Sequence, residues 1–254
     1  MKNLRTHCPY IARIALYLSA VGLILGSLAL CACSSPSTPD AGELRQMYRD
    51  AVKDAETAEP DEISTDLIAI VPYNEDIVWS EDGSRVMVVT WTSWDGYDSL
   101  VGNSTVLQRE VWVTVAPELQ NFCTSCCQDN EALILRLEQL QGLPPDNGKT
   151  RVVEMWASPD DLFRPSADPE ITDHEAGLDF PIPSDYITVN QSHIDWFNSL
   201  RNESYGEDGY PWTRLGYTYD WGNPQSEVGL SEFVVRQGAT VEIKSVSTTA
   251  EYCE

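Results

Sequence analysis

The order in which helical and strand patterns follow one another constrains this chain's fold more than any other feature. Leu44, Met47, Tyr48, Ala51, Val52 and Ala55 recur at helical spacing behind Asp40 and Glu43, which are placed as a capping box. This predicts an amphipathic helix that packs its apolar stripe on its own domain. Strand signals follow at 77–79 and 85–91, flanking the hairpin dipeptide Asp82-Gly83, and Val111, Val113 and Val115 alternate with Trp112, Thr114 and Ala116. Asp129 opens a second helical pattern carrying Leu133, Ile134, Leu137 and Leu140, which Gly142, Pro144 and Pro145 close. A strand over 151–157, a helix over 190–201 and strands over 213–221, 233–236 and 240–246 complete the series. Strands and helices do not alternate regularly, which excludes a chain of βαβ units. The expectation is an α+β fold, a mostly antiparallel sheet with about three helices packed on it, forming a single domain over 41–254.

Upstream of that domain, residues 1–13 carry Lys2, Arg5 and Arg13 and no acid, and an apolar run fills 14–30. This is the layout of an export signal. The run ends in Leu30-Cys31-Ala32-Cys33, which resembles the bacterial lipobox: an aliphatic residue, a tolerant position, a small residue and a cysteine. The resemblance implies that a diacylglycerol is attached to Cys33, that peptide 1–32 is removed, and that 33–40 becomes a lipidated tether. Leu30 is too large to let Cys31 take that role. It also implies a domain outside the cytoplasm, held at a membrane through its lipid anchor. Ser34 in place of Asp resembles the signal for the outer membrane in a cell with two membranes. An uncleaved apolar anchor is the alternative, and it gives the same topology. The tether spans roughly 20 Å when extended, at about 3.3 Å per residue, so the domain stays close to the lipid.

The chain has 40 acidic and 16 basic side chains, a formal net charge of −24, and loss of the three basic residues in 1–32 leaves −27. Nucleic-acid affinity rests on cations that neutralise phosphates, so DNA and RNA are excluded as partners. With 42% hydrophobic residues, 8 Trp and 11 Tyr, the chain has the material for a core and is not a disordered acidic tail. Gly148-Lys149-Thr150 imitates the end of a phosphate loop. However, Leu143 stands where the first glycine belongs, and the segment runs from helix into strand, so nucleotide binding is excluded too.

Four further cysteines, Cys123, Cys126, Cys127 and Cys253, fit two disulfides in an oxidising compartment, with three pairings open. A bond between the adjacent Cys126 and Cys127 is strained, and one from Cys253 back to 123–127 would close a loop of more than 120 residues. A redox pair at Cys123 and Cys126 lacks the βαβ setting of thioredoxin-like sites, and a thiolate metal site lacks a second paired motif.

The segment 158–183 holds seven acids, one arginine and five prolines with no helical or strand period. Asp168, Glu170, Asp173 and Glu175 are hard oxygen donors, with His174 a softer one, and together they are the candidate ligands for calcium, the one cofactor the sequence suggests. Solvation of an acidic loop is the plainer reading. Two such carboxylates could also serve a hydrolase as acid and base, which makes a carboxylate-dependent extracytoplasmic hydrolase the alternative function. No G-x-S-x-G or H-E-x-x-H motif supports a serine or zinc hydrolase, and His193, in the first turn of a helix, reads as a surface or capping residue. Finally, Tyr210, Trp212, Tyr217, Tyr219 and Trp221 form an aromatic strand. Leu215, Tyr217, Tyr219 and Trp221 are expected on one face and Trp212, Arg214, Thr218 and Asp220 on the other, rings beside polar residues suited to a glycan, a small molecule or an envelope partner. Trp91, Trp94, Asp95 and Tyr97 form a second such cluster. A non-enzymatic binding domain on a membrane-anchored lipoprotein is therefore the leading expectation.

Overall fold

The computed structural model describes residues 39–127, 129–184 and 188–254, so the lipidation site Cys33 lies outside the described residues. Residues 39–254 belong to one compact unit. Among the described residues no helix is long and apolar enough to cross a membrane.

Helix α1, Ala41–Ala55, begins as its sequence dictates. The Asp40 carboxylate accepts from the N–H groups of Gly42 and Glu43, and the Glu43 side chain accepts from the Asp40 N–H in return. Tyr48, Ala51 and Val52 pack against Trp221, so the apolar stripe is used within the domain. The Asp82-Gly83 turn forms with Gly83 at φ 69°, where glycine is favoured. Only its second arm becomes a strand, β1, Val86–Thr92; the first arm contributes a single bridge from Trp79 to Val86.

The remaining strands are β2, Ser104–Val106; β3, Val111–Val115; β4, Arg151–Ala157; β5, Leu162–Phe163; β6, Tyr217–Tyr219; β7, Val228–Ser231; β8, Phe233–Val235; and β9, Thr240–Thr248. Seven of them form one sheet in the order β2-β9-β4-β1-β3-β8-β5, and every described pairing in it is antiparallel. Strands β6 and β7 form a separate two-stranded sheet. The α+β class expected from the element order is what the chain adopts.

Five α-helices are described, against about three expected. Helix α3, Asn130–Leu140, starts at Asp129, and Gly142 follows it at φ 61°; helix α4, Gln191–Ser204, is capped by Asn190. The additional ones are α2, Glu118–Cys126, and the short α5, Thr249–Tyr252. Helix α2 coincides with the cysteine-rich stretch, whose Thr, Ser and Cys residues are weak helix formers. It forms because Leu119 and Cys123 bury one face against the sheet.

Alternation along the central strands separates two apolar layers. Val86, Val88, Val113, Val115, Val153 and Met155 point to one side, with Phe233, Val235 and Ile243. Met87, Val89, Trp91 and Val152 point to the other, where α2, α3 and α5 cover them. Helix α4 packs through Trp196 against Phe163 of β5 and Trp112 of β3, and through Phe197 against Trp212. A bidentate ion pair from Arg136 on α3 to the buried Asp220, at 2.8 and 2.6 Å, joins the helical layer to the end of β6.

Cys123 and Cys253 form a disulfide with a Cα–Cα separation of 5.3 Å, joining α2 to the residue after α5 across a sequence separation of 130. Cys126 and Cys127 are free. Because the bond closes so long a loop, Cys253→Ser is expected to lower unfolding free energy by about 4 to 5 kcal/mol in the chain-entropy treatment. Denaturant unfolding of the oxidised wild type against this variant measures the loss, and an unchanged midpoint would contradict the assigned role.

Candidate functional site

The register of β1, β3 and β8 builds the floor of a cleft. Val89 pairs with Thr114 across β1 and β3, and Trp112 pairs with Val234 across β3 and β8. Continuing each register by parity places Trp91 beside Trp112, and Val89, Thr114 and Glu232 in the adjacent row, all on the helical side of the sheet. Helix α3 stops at Leu140 instead of extending over these rows. The space left is a cleft of about 380 Å³, bounded by this floor, by Gln141, Leu143, Lys149 and Thr218, and by Trp94, Tyr97, Arg109 and Glu110. That volume is at the small end of ligand sites.

Its polar groups are held in place but incompletely paired. Thr114 Oγ1 and Gln141 Nε2 are buried and have no hydrogen-bond partner among the described residues. Lys149 Nζ donates to the Trp91 carbonyl at 2.9 Å, and burial pushes its pKa below the ordinary lysine value. The turn that presents Lys149 is fixed by Glu138, whose Oε1 accepts from Asn147 N and Nδ2 at 3.0 and 2.9 Å. Thr218, by contrast, is saturated: its hydroxyl donates to Leu140 O at 2.6 Å and accepts from Leu230 N at 2.8 Å.

Glu232 is the exceptional residue. It sits between Ser231 and Phe233, where β7 passes into β8, and its N–H donates to Gly216 O at 2.9 Å. Its carboxyl has no such partner among the described residues, and burial raises its pKa to about 8. Protein surrounds the side chain densely, while the part of its surface that stays accessible opens into the cleft. The aromatic walls are braced: Trp91 Nε1 donates to Thr249 Oγ1 at 2.9 Å, and Trp112 lies 6.4 Å from Trp196 and 6.3 Å from Trp212 between ring centres. Trp196 Nε1 donates to Glu110 Oε2 at 2.8 Å, which holds that carboxylate at the rim. Trp94, 47% exposed, stands edge-on to Tyr97 at 4.6 Å at the mouth.

Of the aromatic and acidic candidates singled out in the sequence, Trp91, Trp94 and Tyr97 border this cleft, and the others lie elsewhere. Arg214 at φ 61° and Gly216 at φ 76° interrupt the expected strand over 213–221, and the pairing shifts between Tyr217 and Tyr219. Leu215, Tyr217, Tyr219 and Trp221 therefore do not form the single continuous face expected of them. Trp212 packs with Phe197, Tyr217 with Leu67 and Leu215, and Trp221 with Tyr48; Tyr219 reaches Asp54 Oδ2 at 2.7 Å. Tyr210 is 54% exposed and lines a separate shallow groove with Arg45 and Arg49.

The acidic segment is organised around a cation of its own. Arg164 is completely buried, lies over the Phe233 ring at 5.0 Å, and donates through Nη2 to Ile68 O at 3.0 Å and Asp173 O at 2.7 Å. Asp168, Glu170 and Asp173 all lie within its electrostatic reach, and Asp173 Oδ1 is 4.0 Å from Nη2. Glu170 accepts from Thr172, His174 Nδ1 is 2.7 Å from Leu67 O, and Glu175 is exposed. Among the described residues, no three His, Cys, Asp or Glu side chains form a group suited to a metal ion. His193 is buried, not superficial: Nε2 is 2.8 Å from Ser166 O and its ring stacks on Trp196.

The sequence marked one wall of the cleft, the cluster of Trp91, Trp94 and Tyr97, but not the rest, because its residues come from six separated segments. One further signal was present: Glu232 is a charged residue inside Leu230-Ser231-Glu232-Phe233-Val234-Val235, an otherwise strand-forming run. No protein-family model, curated protein or solved structure matches the chain.

Raised carboxyl pKa values have a defined consequence for stability. Glu232 and Glu118 are both pushed up to about 8, chiefly by burial, so the folded chain binds their protons more tightly than the unfolded chain does. Their stabilising contribution is complete below the ordinary value of 4.5 and is lost as pH rises through about 8. Glu232→Gln removes the charge without removing the shape. It is expected to raise the thermal midpoint at about pH 9 by roughly 5 °C, equivalent to about 2 kcal/mol, and to leave it unchanged near pH 4. Scanning calorimetry of both proteins at the two pH values checks the sign.

Proposed function

We propose that this chain is an extracytoplasmic lipoprotein, acylated at Cys33 and held at a membrane, whose domain binds a small hydroxylated ring such as a sugar unit in the cleft over β1, β3 and β8. One observation carries the reading: Thr114 Oγ1 and Gln141 Nε2 are buried without partners in the same cleft as the unpaired carboxyl of Glu232. Leaving such groups unsatisfied costs about 1 to 3 kcal/mol each, a cost that a ligand supplying hydrogen bonds removes. Trp112 and the half-exposed Trp94 give the cleft an apolar surface on which a ring can lie, while the Glu232 carboxyl meets the ring's hydroxyl groups and a small side-chain rotation would bring Thr114 or Gln141 to them. At neutral pH the Glu232 carboxyl is mostly protonated and donates a hydrogen bond as well as accepting one.

Intrinsic tryptophan fluorescence tests this directly, because three tryptophans border the cleft. Titration with a panel of neutral and N-acetylated monosaccharides is expected to give saturable changes for at least one of them. Glu232→Gln, folded by circular dichroism, is expected to weaken that binding about 10-fold or more, the equivalent of one lost buried hydrogen bond. Absence of any saturable response across the panel rejects the ligand class. Loss of membrane fractionation in Cys33→Ala tests the anchor separately.

The carboxylate-hydrolase reading keeps one specific support: Glu110 and Glu232 border the same cleft, and burial keeps the second protonated, as a proton donor requires. Release of the aglycone from aryl glycosides, abolished in Glu232→Gln, distinguishes turnover from binding.

A further inference from the structure

Next to the buried disulfide, α2 ends in two further cysteines whose sulfurs are close together. Cys126 Sγ donates to Cys127 Sγ across 2.7 Å. That separation lies between the bonded distance of about 2.05 Å and the roughly 3.5 to 4 Å of ordinary atomic contact. Both side chains are partly exposed, whereas Cys123 is 1% exposed and already paired with Cys253. Cys126 is the last residue of the helix and Cys127 is already extended, at φ −144° and ψ 139°, so the backbone turns between them and brings the two side chains together. The Cys126 S–H points at the Cys127 sulfur, and burial with that neighbouring sulfur pushes the Cys126 pKa up.

From this geometry we propose that Cys126 and Cys127 are a reversible redox site, closing to a vicinal disulfide in which Cys127 attacks first and Cys126 resolves. The oxidant is a small disulfide such as glutathione disulfide. Cys127, as thiolate, attacks one sulfur of the donor; the donor S–S bond breaks, one donor thiol leaves and a mixed disulfide forms on Cys127. With Cys127 no longer a free sulfur beside it, Cys126 loses its proton to solvent, attacks the Cys127 sulfur as thiolate and expels the second donor sulfur, which leaves as a thiolate and takes up a proton. Two S–H bonds are lost and one S–S bond is formed in the protein, while the electron pair reduces the donor to two thiols. Because adjacent residues close such a bond only with strain, it is expected to be reduced more readily than the buried bond of Cys123 and Cys253. Access to an oxidant of this kind is shared with the proposed export, but the assignment rests on the cysteine geometry and stands or falls apart from the sugar cleft.

The test uses the full chain, incubated with glutathione disulfide at about pH 8, quenched with acid, alkylated and mapped by mass spectrometry. Expected is a peptide containing Cys126 and Cys127 that is two hydrogens lighter than the dithiol and resists alkylation. Low concentrations of dithiothreitol should release these two thiols before Cys123 or Cys253 becomes labelled. Cys126→Ser should retain glutathione on Cys127, and Cys127→Ser should leave Cys126 unmodified. Alkylation of both sulfurs after oxidation, glutathione on both, disulfide-linked dimers, or prior release of Cys123 and Cys253 would each overturn the proposal. The wild-type map decides even if a serine variant fails to fold.

Discussion

Antiparallel pairing at the centre of the sheet is the constraint on which the rest of this structure depends. Side chains alternate strictly along β1, β3 and β4, so the registers Val88 with Val115 and Val88 with Met155 settle which residues face each apolar layer. A shift of one residue would place Trp91 and Thr114 among the valines of the opposite layer and expel Val88 and Val115 toward the helices. The same parity assembles the cleft. Its floor needs no special loop, only a row of large aromatic side chains beside a row of Val89, Thr114 and Glu232, and a helix that stops short of covering them.

That arrangement is costly to the fold, which is the main argument for function. A carboxyl surrounded by protein and without a partner destabilises the folded chain whenever it ionises, and the penalty is heavier in a chain that already carries a formal net charge of −24. Several buried charges elsewhere do have partners: Arg136 pairs with Asp220, and Glu118 accepts from the Ser231 N–H in the field of Arg164. Arg164 collects the acids of the 158–183 segment in turn, so negative charge that reads in the sequence as a solvated loop or a cation site is partly balanced from inside. Glu232 has no such arrangement, and an apolar residue at its place would pack the row more cheaply.

Much of the architecture was legible in the sequence because local rules governed it. The capping box at Asp40, the Asp129 and Asn190 caps, the Asp82-Gly83 turn and the strand over 151–157 all follow from residues within a few positions of one another. Where the reading departed from the structure, tertiary packing overrode a local pattern. The aromatic run near Tyr217 alternates like a strand, yet Arg214 and Gly216 turn the backbone into the left-handed region and distribute its rings among three clusters. Helix α2 carries a poor helical composition and forms through the face it buries, and His193 is enclosed by Phe163 and Trp196, aromatic residues on separate elements.

Beyond the wall of Trp91, Trp94 and Tyr97, the cleft was not legible, for a reason that concerns sheets generally. Thr114 and Glu232 are 118 positions apart in the sequence and become neighbours only through the β3–β8 register. No spacing rule connects residues across such a distance, whereas helix caps and hairpin turns are written within four or five positions. Local sequence can still mark one half of the relation: an acid flanked by apolar strand residues must either face water, find a partner or remain as an unpaired group inside. Phe233 points into one apolar layer, so Glu232 points to the opposite face, and there the end of α3 leaves it a cleft and not a partner. The structure thus converts an oddity of composition into a position where an incoming ligand has hydrogen bonds to complete.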